Sequence, residues 1–513
     1  MFGSSSTTDL SNLLSPDAFV ALDAYSRSFK IRQVWLTPPP ARPPLLAELG
    51  TREAAGPVRA QVTDRGSRVF SSLNPDVPLL IEDMRVHQVD ASPDWTPLLV
   101  DDNGYWLALS REDDGLEQML VTVDQDSEAI PSQALLGDIC AWAGRGVFVG
   151  QRRVTLAVHV DDVFISSSQF SVELNRHDPR HAFRMSAEDL AALAAWQRDI
   201  RSRYPQLRDF RLDLVFNGIG PLKHGPDDAL TETAKVVKGD FRWVSHTYSH
   251  VQMDNASEEE AYEEIVRNHE VARRLGLPTY QSSTLVTGEM SGLYNPNFLR
   301  AARRAGVQFV ASDSSFEDQQ SPRPNRGIRS WYDPELTLVP RVPLEIYYDV
   351  TTPEELVARY NQRHPSEQLL TYDEIVYLES DRILSQMLRS LKYPFMFHQA
   401  NLKHFDEQGE RCLLTDVLTA ALEKYVRVCS LPVGNPSFLE IGSALKYRLE
   451  LDEVTVEALI DDWQQIALLS NRDVLVRITG VEAGSRTYYA GEPTSLVNLE
   501  AERWQVIPLR THD

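Results

Sequence analysis

Cysteine is scarce in this sequence, with three residues in a chain of 513. Cys140, Cys412 and Cys429 form no Cys-x-x-Cys pair, and three thiols cannot all be joined in disulfides. The sequence therefore argues against a disulfide framework and against a cysteine-rich zinc site. A chain of this length can bury a large core and needs no covalent cross-links to do so.

Basic residues and long apolar runs are also in short supply. The chain has 51 basic and 74 acidic residues, which gives a net charge of −23. Because proteins that bind phosphate backbones usually carry a basic face, we expect no nucleic-acid partner. No apolar run approaches the roughly 18 residues that span a bilayer, so we expect no transmembrane segment. Residues 1–10 show no signal-peptide pattern.

The rhythm of the sequence divides the chain into three parts. Short strand-like pieces separated by turn residues predict a β-rich N-terminal module over residues 1–145. Strands then alternate with amphipathic helices, which predicts a parallel α/β sheet or barrel over residues 146–450. Residues 451–513 are predicted to form a helix, at about 455–469, followed by β-strands.

Polar side chains follow three predicted strands of the α/β part. Asp161 and Asp162 close a strand predicted over 154–160, His246 and His250 follow another, and His398 follows a third. The carboxyl ends of parallel strands meet at one edge of a sheet or one mouth of a barrel. We therefore expect these side chains to converge on one site.

The residue types at these strand ends are those of a metal centre. Two adjacent buried carboxylates, Asp161 and Asp162, are costly unless they are paired or metal-bound. His246 and His250 are four apart, and on a helical turn such histidines face the same way. Two imidazoles and one carboxylate suit zinc, but the same set also serves ferrous iron and other divalent metals. A carboxylate pair that caps a loop and two ordinary loop histidines are the simpler alternatives.

The three motifs, in this order, resemble those of the polysaccharide deacetylase superfamily, the NodB-homology enzymes. The strings HVDDVF, HTYSH and FMFHQANL are most similar to carbohydrate esterase family 18, whose members carry a β-rich module before the deacetylase domain. The resemblance covers roughly residues 150–440. It implies a distorted (β/α)7–8 barrel flanked by β-rich segments.

The resemblance also implies a role for each motif residue. Asp161 would be the general base and His398 the general acid. Asp162, His246 and His250 would hold one divalent metal ion, zinc.

One motif of the superfamily is missing. Most members carry Arg-x-Pro-Tyr after the fourth strand, where the Arg orients the base and a backbone N–H holds the oxyanion. The matching region, Thr287–Gly292, contains no arginine. Glu289 and the backbone of Met290 are the candidates for this role, and Asp313 is expected near the base.

Two residues complete the predicted set of substrate-binding and oxyanion residues. They are Tyr248, inside the histidine motif, and Asn401, just after His398. His159 could orient Asp161 or be a core histidine. Trp331-Tyr332 and Tyr347-Tyr348 could stack on sugar rings, although a role as core or loop anchors is favoured.

The implied function is metal-dependent removal of acetyl groups from N-acetylhexosamine, as in galactosaminogalactan, an exopolysaccharide of biofilms. The partner would be a partially acetylated hexosamine polysaccharide, and the protein would be secreted, periplasmic or at the cell surface. The N-terminal module could bind carbohydrate or could serve only in packing.

Two other functions stay open. They are a metallo-amidohydrolase that acts on small molecules and a non-catalytic glycan-binding protein with a degenerate deacetylase domain. A glycosidase is disfavoured, because adjacent carboxylates cannot flank a glycosidic bond at the ~5–9 Å separation required.

Overall fold

The computed structural model describes residues 15–36, 49–365 and 368–509, and the chain divides into two compact units. The first unit combines the described N-terminal residues up to Arg153 with Lys424–Pro432 and the residues from Val454 onward. The second unit comprises Val154–Glu423 and Val433–Glu453.

The N-terminal part of the first unit is mostly antiparallel β-sheet. Its elements are α1 (Pro16–Ser28), β1 (Gln33–Leu36), β2 (Thr51–Glu53), β3 (Val58–Val62), β4 (Leu79–Ile81), β5 (His87–Val89), β6 (Thr96–Asp101), β7 (Trp106–Asp113), β8 (Leu116–Val121), α2 (Ile130–Ala143) and β9 (Phe148–Val149). One sheet has the order β1-β8-β7-β6-β3-β4, and β5 pairs with both β2 and β7. Large side chains such as Trp35, Trp95 and Leu109 fill its core.

The second unit alternates strands with helices, as its sequence predicts. Its strands are β10 (Val158–Val163), β11 (Ser167–Ser171), β12 (Arg176–Phe183), β13 (Asp213–Phe216), β14 (Arg242–Ser245), β15 (Thr284–Leu285), β16 (Phe309–Asp313), β17 (Ile328–Arg329), β18 (Thr337–Pro343) and β19 (Phe395–His398). Its helices are α3 (Ala187–Arg203), α4 (Ile219–His224), α5 (Ala229–Val237), α6 (Glu258–Leu275), α7 (Pro296–Arg304), α8 (Pro353–Arg363), α9 (Tyr372–Leu388), α10 (Leu413–Val428) and α11 (Phe438–Leu451).

Seven of these strands close into a parallel barrel. The order is β10-β13-β14-β15-β16-β18-β19, and β19 pairs with β10 again. The interior strands are almost entirely buried, which suits the near-continuous apolar runs of their sequences. The predicted α/β barrel is confirmed, and all parallel strands end at the same mouth.

Helix α6 shows how local sequence sets these elements. The Ser257 side chain accepts from the Glu260 N–H, and the Glu260 side chain accepts from the Ser257 N–H, so the predicted capping box is present. Gly276 ends the helix in the left-handed conformation, with φ of 62°. The helix therefore starts and stops where the sequence indicates.

The C-terminal part of the first unit is all strand. It contains β20 (Val456–Asp461), β21 (Gln465–Ser470), β22 (Val474–Thr479), β23 (Ser485–Tyr489), β24 (Glu492–Leu499) and β25 (Gln505–Pro508). Strands β20, β21 and β25 form one sheet, and β23, β24, β22 and β9 form another.

The helix predicted over 455–469 is therefore wrong. Residues Val456–Asp461 pair with Gln465–Ser470 as a hairpin. Asp462 and Trp463 adopt φ of 45° and 56°, the left-handed conformations that let a tight turn follow the twist of a hairpin. Burial also alternates residue by residue along β21, the period of a strand, so cross-strand pairing outweighs helix propensity here.

No helix in the described ranges is long and apolar enough to cross a bilayer.

Candidate active site

The two adjacent aspartates lie within β10 rather than after a strand that ends at residue 160. The strand begins at Val158, four residues later than predicted, and Asp161 lies in register with His398 of β19. The pairing of β10 with β13 shifts between Val160 and Val163, and Asp162 has a φ of 65°. This irregularity breaks the strict alternation of side chains, so neighbouring carboxylates can make different contacts at the barrel mouth.

Asp162, His246 and His250 come together as the sequence predicts. The Oδ1 atom of Asp162 lies 3.3 Å from Nε2 of His246 and 3.1 Å from Nε2 of His250. All three candidate ligand atoms are within 4.8 Å of one another. The two imidazole rings are 4.7 Å apart and nearly perpendicular.

The loop that carries both histidines is not the helical turn that their spacing suggests. Thr247 and His250 have φ of 64° and 63°, and Thr247 is β-branched, so this backbone is strained. The Asn217 amide donates to the carbonyls of His246 and Thr247, at 2.6 and 3.1 Å. This buried amide holds the loop in its uncommon conformation.

A carboxylate on α6 fixes the other end of the same loop. Glu264 accepts from the backbone N–H of Ser249 at 2.7 Å and from its hydroxyl at 2.6 Å. The backbone N–H of Tyr248 donates to the Glu264 carbonyl at 3.0 Å. Two elements of the barrel thus determine where the histidines lie.

Contacts with neighbouring backbone orient the imidazole rings of His246 and His250, whose Nε2 atoms face Asp162. Nδ1 of His246 is 3.1 Å from the Val286 carbonyl, to which a protonated Nδ1 donates. That tautomer leaves Nε2 unprotonated and facing Asp162. His250 packs against Gly288, where an added Cβ would lie 2.9 Å from the imidazole ring.

The three residues fit a divalent metal ion. Oδ1 of Asp162 is buried and has no hydrogen-bond partner among the described residues, although two imidazole nitrogens face it. Burial raises the pKa of Asp162, but His246 and His250 outweigh it and hold that pKa well below its usual range. An ionised, uncapped carboxylate oxygen beside two imidazole nitrogens is a typical ligand set for zinc and related metals.

Asp161 is held by an arginine that the sequence analysis missed. Nη1 and Nη2 of Arg341, in β18, donate to the two carboxylate oxygens of Asp161 at 2.8 Å each. Arg341 is fully buried, and its attraction outweighs burial, so the pKa of Asp161 lies below its usual range. Arg341 thus makes the contact with Asp161 that the superfamily's motif arginine was expected to make, but from a different strand.

His159 supports Arg341 instead of contacting Asp161 directly. Its Nδ1 is 3.5 Å from Nη1 of Arg341, and the edge of its ring meets Phe438 at 4.9 Å between centroids. Burial and the nearby guanidinium lower the pKa of His159 well below 6.5, so the imidazole is neutral. It is thus a core histidine that also borders the Asp161–Arg341 pair.

His398 lies at the same mouth, next to Asp161 in the strand register. Asn401 accepts from its backbone N–H at 2.9 Å, and the Asn401 amide donates to the carbonyls of Tyr347 and Val350. Burial lowers the pKa of His398, and the Asp161 carboxylate opposes that effect. Asn401 therefore positions the histidine and is itself fully buried.

The two candidates that stood in for the missing motif have different surroundings, because Glu289 is exposed and Met290 packs against the barrel core. Glu289 is exposed and accepts from the Gln252 amide. Sδ of Met290 is 3.5 Å from Nη2 of Arg341, and its backbone N–H donates to the Thr287 carbonyl at 3.2 Å. In this conformation that N–H is already engaged and does not face an oxyanion.

Asp313 and Tyr248 lie close to the central residues but make other contacts. Asp313 is beside Arg341 in the β16–β18 register, and its carboxylate accepts from the Ser315 N–H at 2.8 Å. The Tyr248 ring packs under the Arg267 guanidinium, 4.0 Å from its centroid. The roles predicted for these two residues stay predictions.

Comparison with known families finds a matching family model. Residues 227–454 match the family model of the Agd3 deacetylase domain. This stretch, less than half of the chain, is similar to that family. The match includes His246, His250 and His398 and begins after Asp161 and Asp162. The predicted resemblance is confirmed, and the protein is a polysaccharide deacetylase enzyme.

A solved structure shows the same fold. The chain is similar to the crystal structure of Agd3, a carbohydrate deacetylase, with a TM-score of 0.81 and 18% identity over 96% of this chain and 87% of that one. Two further structures are similar over about half of this chain, with TM-scores below 0.5. A family 4 carbohydrate esterase from Streptomyces lividans has 9% identity, coverage of 54% and 91%, and a TM-score of 0.26. A chitin deacetylase from Colletotrichum lindemuthianum has 13% identity, coverage of 56% of this chain and 88% of that one, and a TM-score of 0.29. A search of the curated proteins finds no match.

Proposed function

We propose that this enzyme is a metal-dependent de-N-acetylase of N-acetylhexosamine units, N-acetylgalactosamine in particular, in an exopolysaccharide. The observation that supports this most strongly is the meeting of three groups at one barrel mouth. They are the arginine-paired carboxylate of Asp161, the Asp162–His246–His250 cluster, and His398. Amide hydrolysis needs a base, an electrophile and an acid, and the three groups can supply them.

The metal proposed here is zinc, held by Asp162, His246 and His250. When bound, it polarises the amide carbonyl and makes a nearby water more acidic. Two imidazoles and one carboxylate leave coordination positions open, as catalytic sites require.

Asp161 is the proposed general base. Arg341 keeps its carboxylate ionised and fixes the plane of the two oxygens. The water oxygen forms a bond to the acetyl carbon, and the water proton passes to Asp161.

His398 is the proposed general acid. Burial disfavours the protonated form of His398, and the carboxylates of Asp161 and Asp162 favour it. As the bond between the acetyl carbon and nitrogen breaks, the protonated form gives its proton to the leaving nitrogen. The products are acetate and a free amine on the sugar. That amine is cationic near neutral pH, and the net charge of −23 favours retention of such a polymer.

The proposed setting follows from the polymer. A chain that acts on exopolysaccharide works outside the cytoplasm, so we propose a secreted, periplasmic or cell-surface protein. The β-rich first unit is proposed to bind carbohydrate.

Arg341 bears on the two alternatives. A degenerate, glycan-binding domain would be consistent with the arginine missing from Thr287–Gly292, and the pairing of Arg341 with Asp161 supports a catalytic domain instead. A small-molecule amidohydrolase would differ from the proposed deacetylase in its substrate, and the substrate panel below distinguishes the two.

The test is acetate release from a panel of N-acetylgalactosamine and N-acetylglucosamine polymers and small N-acetyl compounds, with and without a chelator. Wild type should release acetate from the galactosamine polymer and lose this activity with chelator. Asp162→Ala and His250→Ala should lose both bound metal and activity, whereas Asp161→Asn should keep metal and lose turnover. Near-wild-type rates for Asp161→Asn would show that the base is misassigned, and release from small compounds alone would favour the amidohydrolase.

A further inference from the structure

One exposed aromatic ring lies beside the proposed general acid. The side chain of Tyr348 is 45% exposed, and its ring centroid is 5.9 Å from that of His398. The ring of His177, in β12, is also nearby, at 6.3 Å between centroids. Tyr348 is therefore an exposed ring beside the partly exposed His398 at the barrel mouth.

The backbone on both sides of Tyr348 is firmly anchored. The Asn401 amide donates to the carbonyls of Tyr347 and Val350, at 2.9 and 3.2 Å. The backbone N–H of Phe170, in β11, donates to the Asp349 carbonyl at 2.6 Å. These bonds bracket Tyr348, so its ring is presented from a fixed segment.

The side chains on either side of Tyr348 in the sequence contact arginines of helix α8. The carboxylate of Asp349 is fully buried and lies 3.3 Å from Nη2 of Arg359. The guanidinium groups of Arg359 and Arg363 lie 5.8 and 5.2 Å from the ring of Tyr347. Tyr348 thus differs from the residues before and after it, because its ring faces solvent.

The proposed reaction places a sugar ring next to His398. The nitrogen that His398 protonates is bonded directly to a sugar carbon. The pyranose ring that bears this nitrogen must therefore sit next to His398 on its solvent side. The flat face of Tyr348, whose ring centroid is 5.9 Å from that of His398, can pack against the apolar face of such a pyranose.

We propose that Tyr348 is the stacking surface for the hexosamine ring whose acetamido group is cleaved. This rests on the function proposed above and assigns the sugar subsite next to the acid. After cleavage the ring carries an ammonium group, which an aromatic face also accommodates.

Steady-state kinetics on an N-acetylgalactosamine oligomer tests the assignment. Tyr348→Ala and Tyr348→Leu should raise KM roughly tenfold, the size of one lost aromatic contact, and leave kcat within about threefold. Tyr348→Phe and Tyr348→Trp should behave like wild type, because they keep a flat ring. Tyr377→Ala, at a tyrosine of α9 that is 56% exposed, is the matched control and should have no effect.

Metal content and thermal unfolding, measured on each variant, separate a binding effect from a folding one. An unchanged KM in both the Ala and Leu variants overturns the proposal. A loss in Tyr348→Phe as large as in Tyr348→Ala also overturns it, because the hydroxyl and not the ring would then matter.

A binding experiment distinguishes failure of this subsite from failure of the proposed function. If wild type releases no acetate, calorimetry with the same oligomer still reports on Tyr348. Weaker binding by Tyr348→Ala than by wild type would support the stacking surface without hydrolysis. No binding by wild type, or equal binding by the two proteins, would overturn it.

Discussion

Arg341 and Asp161 form a bidentate ion pair with two hydrogen bonds of 2.8 Å, in a fully buried part of the barrel. The barrel contains a second pair of the same kind, Arg242 and Asp213, with bonds of 2.8 and 2.9 Å. The two carboxylates titrate differently. Burial raises the pKa of Asp213 despite Arg242, whereas Arg341 holds the pKa of Asp161 below its usual range. Of the two pairs, only Arg341–Asp161 favours the ionised form of its carboxylate over the neutral form.

Replacement of Arg341 by lysine should reduce kcat. Lysine keeps the charge but cannot make two parallel bonds, so Asp161 loses its fixed orientation. We expect kcat to fall about 30- to 100-fold, with bound metal unchanged. The measurements are acetate release and metal analysis.

Arg242→Lys is the matched control for this change. It should lower the free energy of unfolding by about 1–3 kcal/mol and leave kcat near wild type. Equal loss of kcat in both variants would show that Arg341 acts only through general stability.

The sequence predicts most of this site but not its arginine. Asp162, His246 and His250 could be found because their motifs follow recognisable apolar strands. Arg341 lies in Thr337–Pro343, where two prolines and a charged side chain argue against an interior strand. Its partner is 180 residues away in the chain, so only the closed barrel brings the two together.

Backbone conformation is the other feature that spacing could not give. A helical turn was the natural interpretation of histidines four apart, yet Thr247 and His250 are left-handed. The Asn217 amide and Glu264, remote in sequence, stabilise that backbone. Tertiary contacts of this kind leave no local pattern.

Glu264 should control metal affinity without touching the metal. Its carboxylate holds Ser249, next to His250. Glu264→Ala should weaken metal binding about 10- to 100-fold, as loss of an outer partner of a ligand usually does. Metal titration checks this, and Glu263→Ala, an exposed neighbour on α6, is the control. Unchanged affinity in Glu264→Ala would show that Asn217 alone suffices.

His159 should make stability depend on pH. Burial and Arg341 put its folded pKa well below 6.5, whereas the unfolded chain takes up a proton near 6.5. The unfolded state therefore binds more protons below that pH, and the free energy of unfolding falls as pH falls.

His159→Asn removes this component and keeps a polar acceptor near Arg341. The stability advantage of wild type over this variant should shrink by about 1.4 kcal/mol between pH 7.5 and 5.5. Denaturant unfolding at several pH values measures it. His224→Asn, at an exposed histidine, should show a constant difference from wild type. A constant difference for His159→Asn as well would mean that His159 takes up its proton over the same pH range in the folded and the unfolded protein.

Gly288 should matter because of the space it leaves for His250. An added Cβ would lie 2.9–3.0 Å from three atoms of the imidazole ring, closer than carbon atoms normally approach. The same ring lies between Gly288 and Asp162, with its Nε2 atom 3.1 Å from Oδ1 of Asp162. Gly288→Ala should therefore displace Nε2 and weaken metal binding roughly tenfold. Gly239→Ala, where no atom lies within 4 Å of the added Cβ, should leave affinity unchanged. If Gly288→Ala binds metal as tightly as wild type, the imidazole must have room to move, and its position is then set by Asp162 alone.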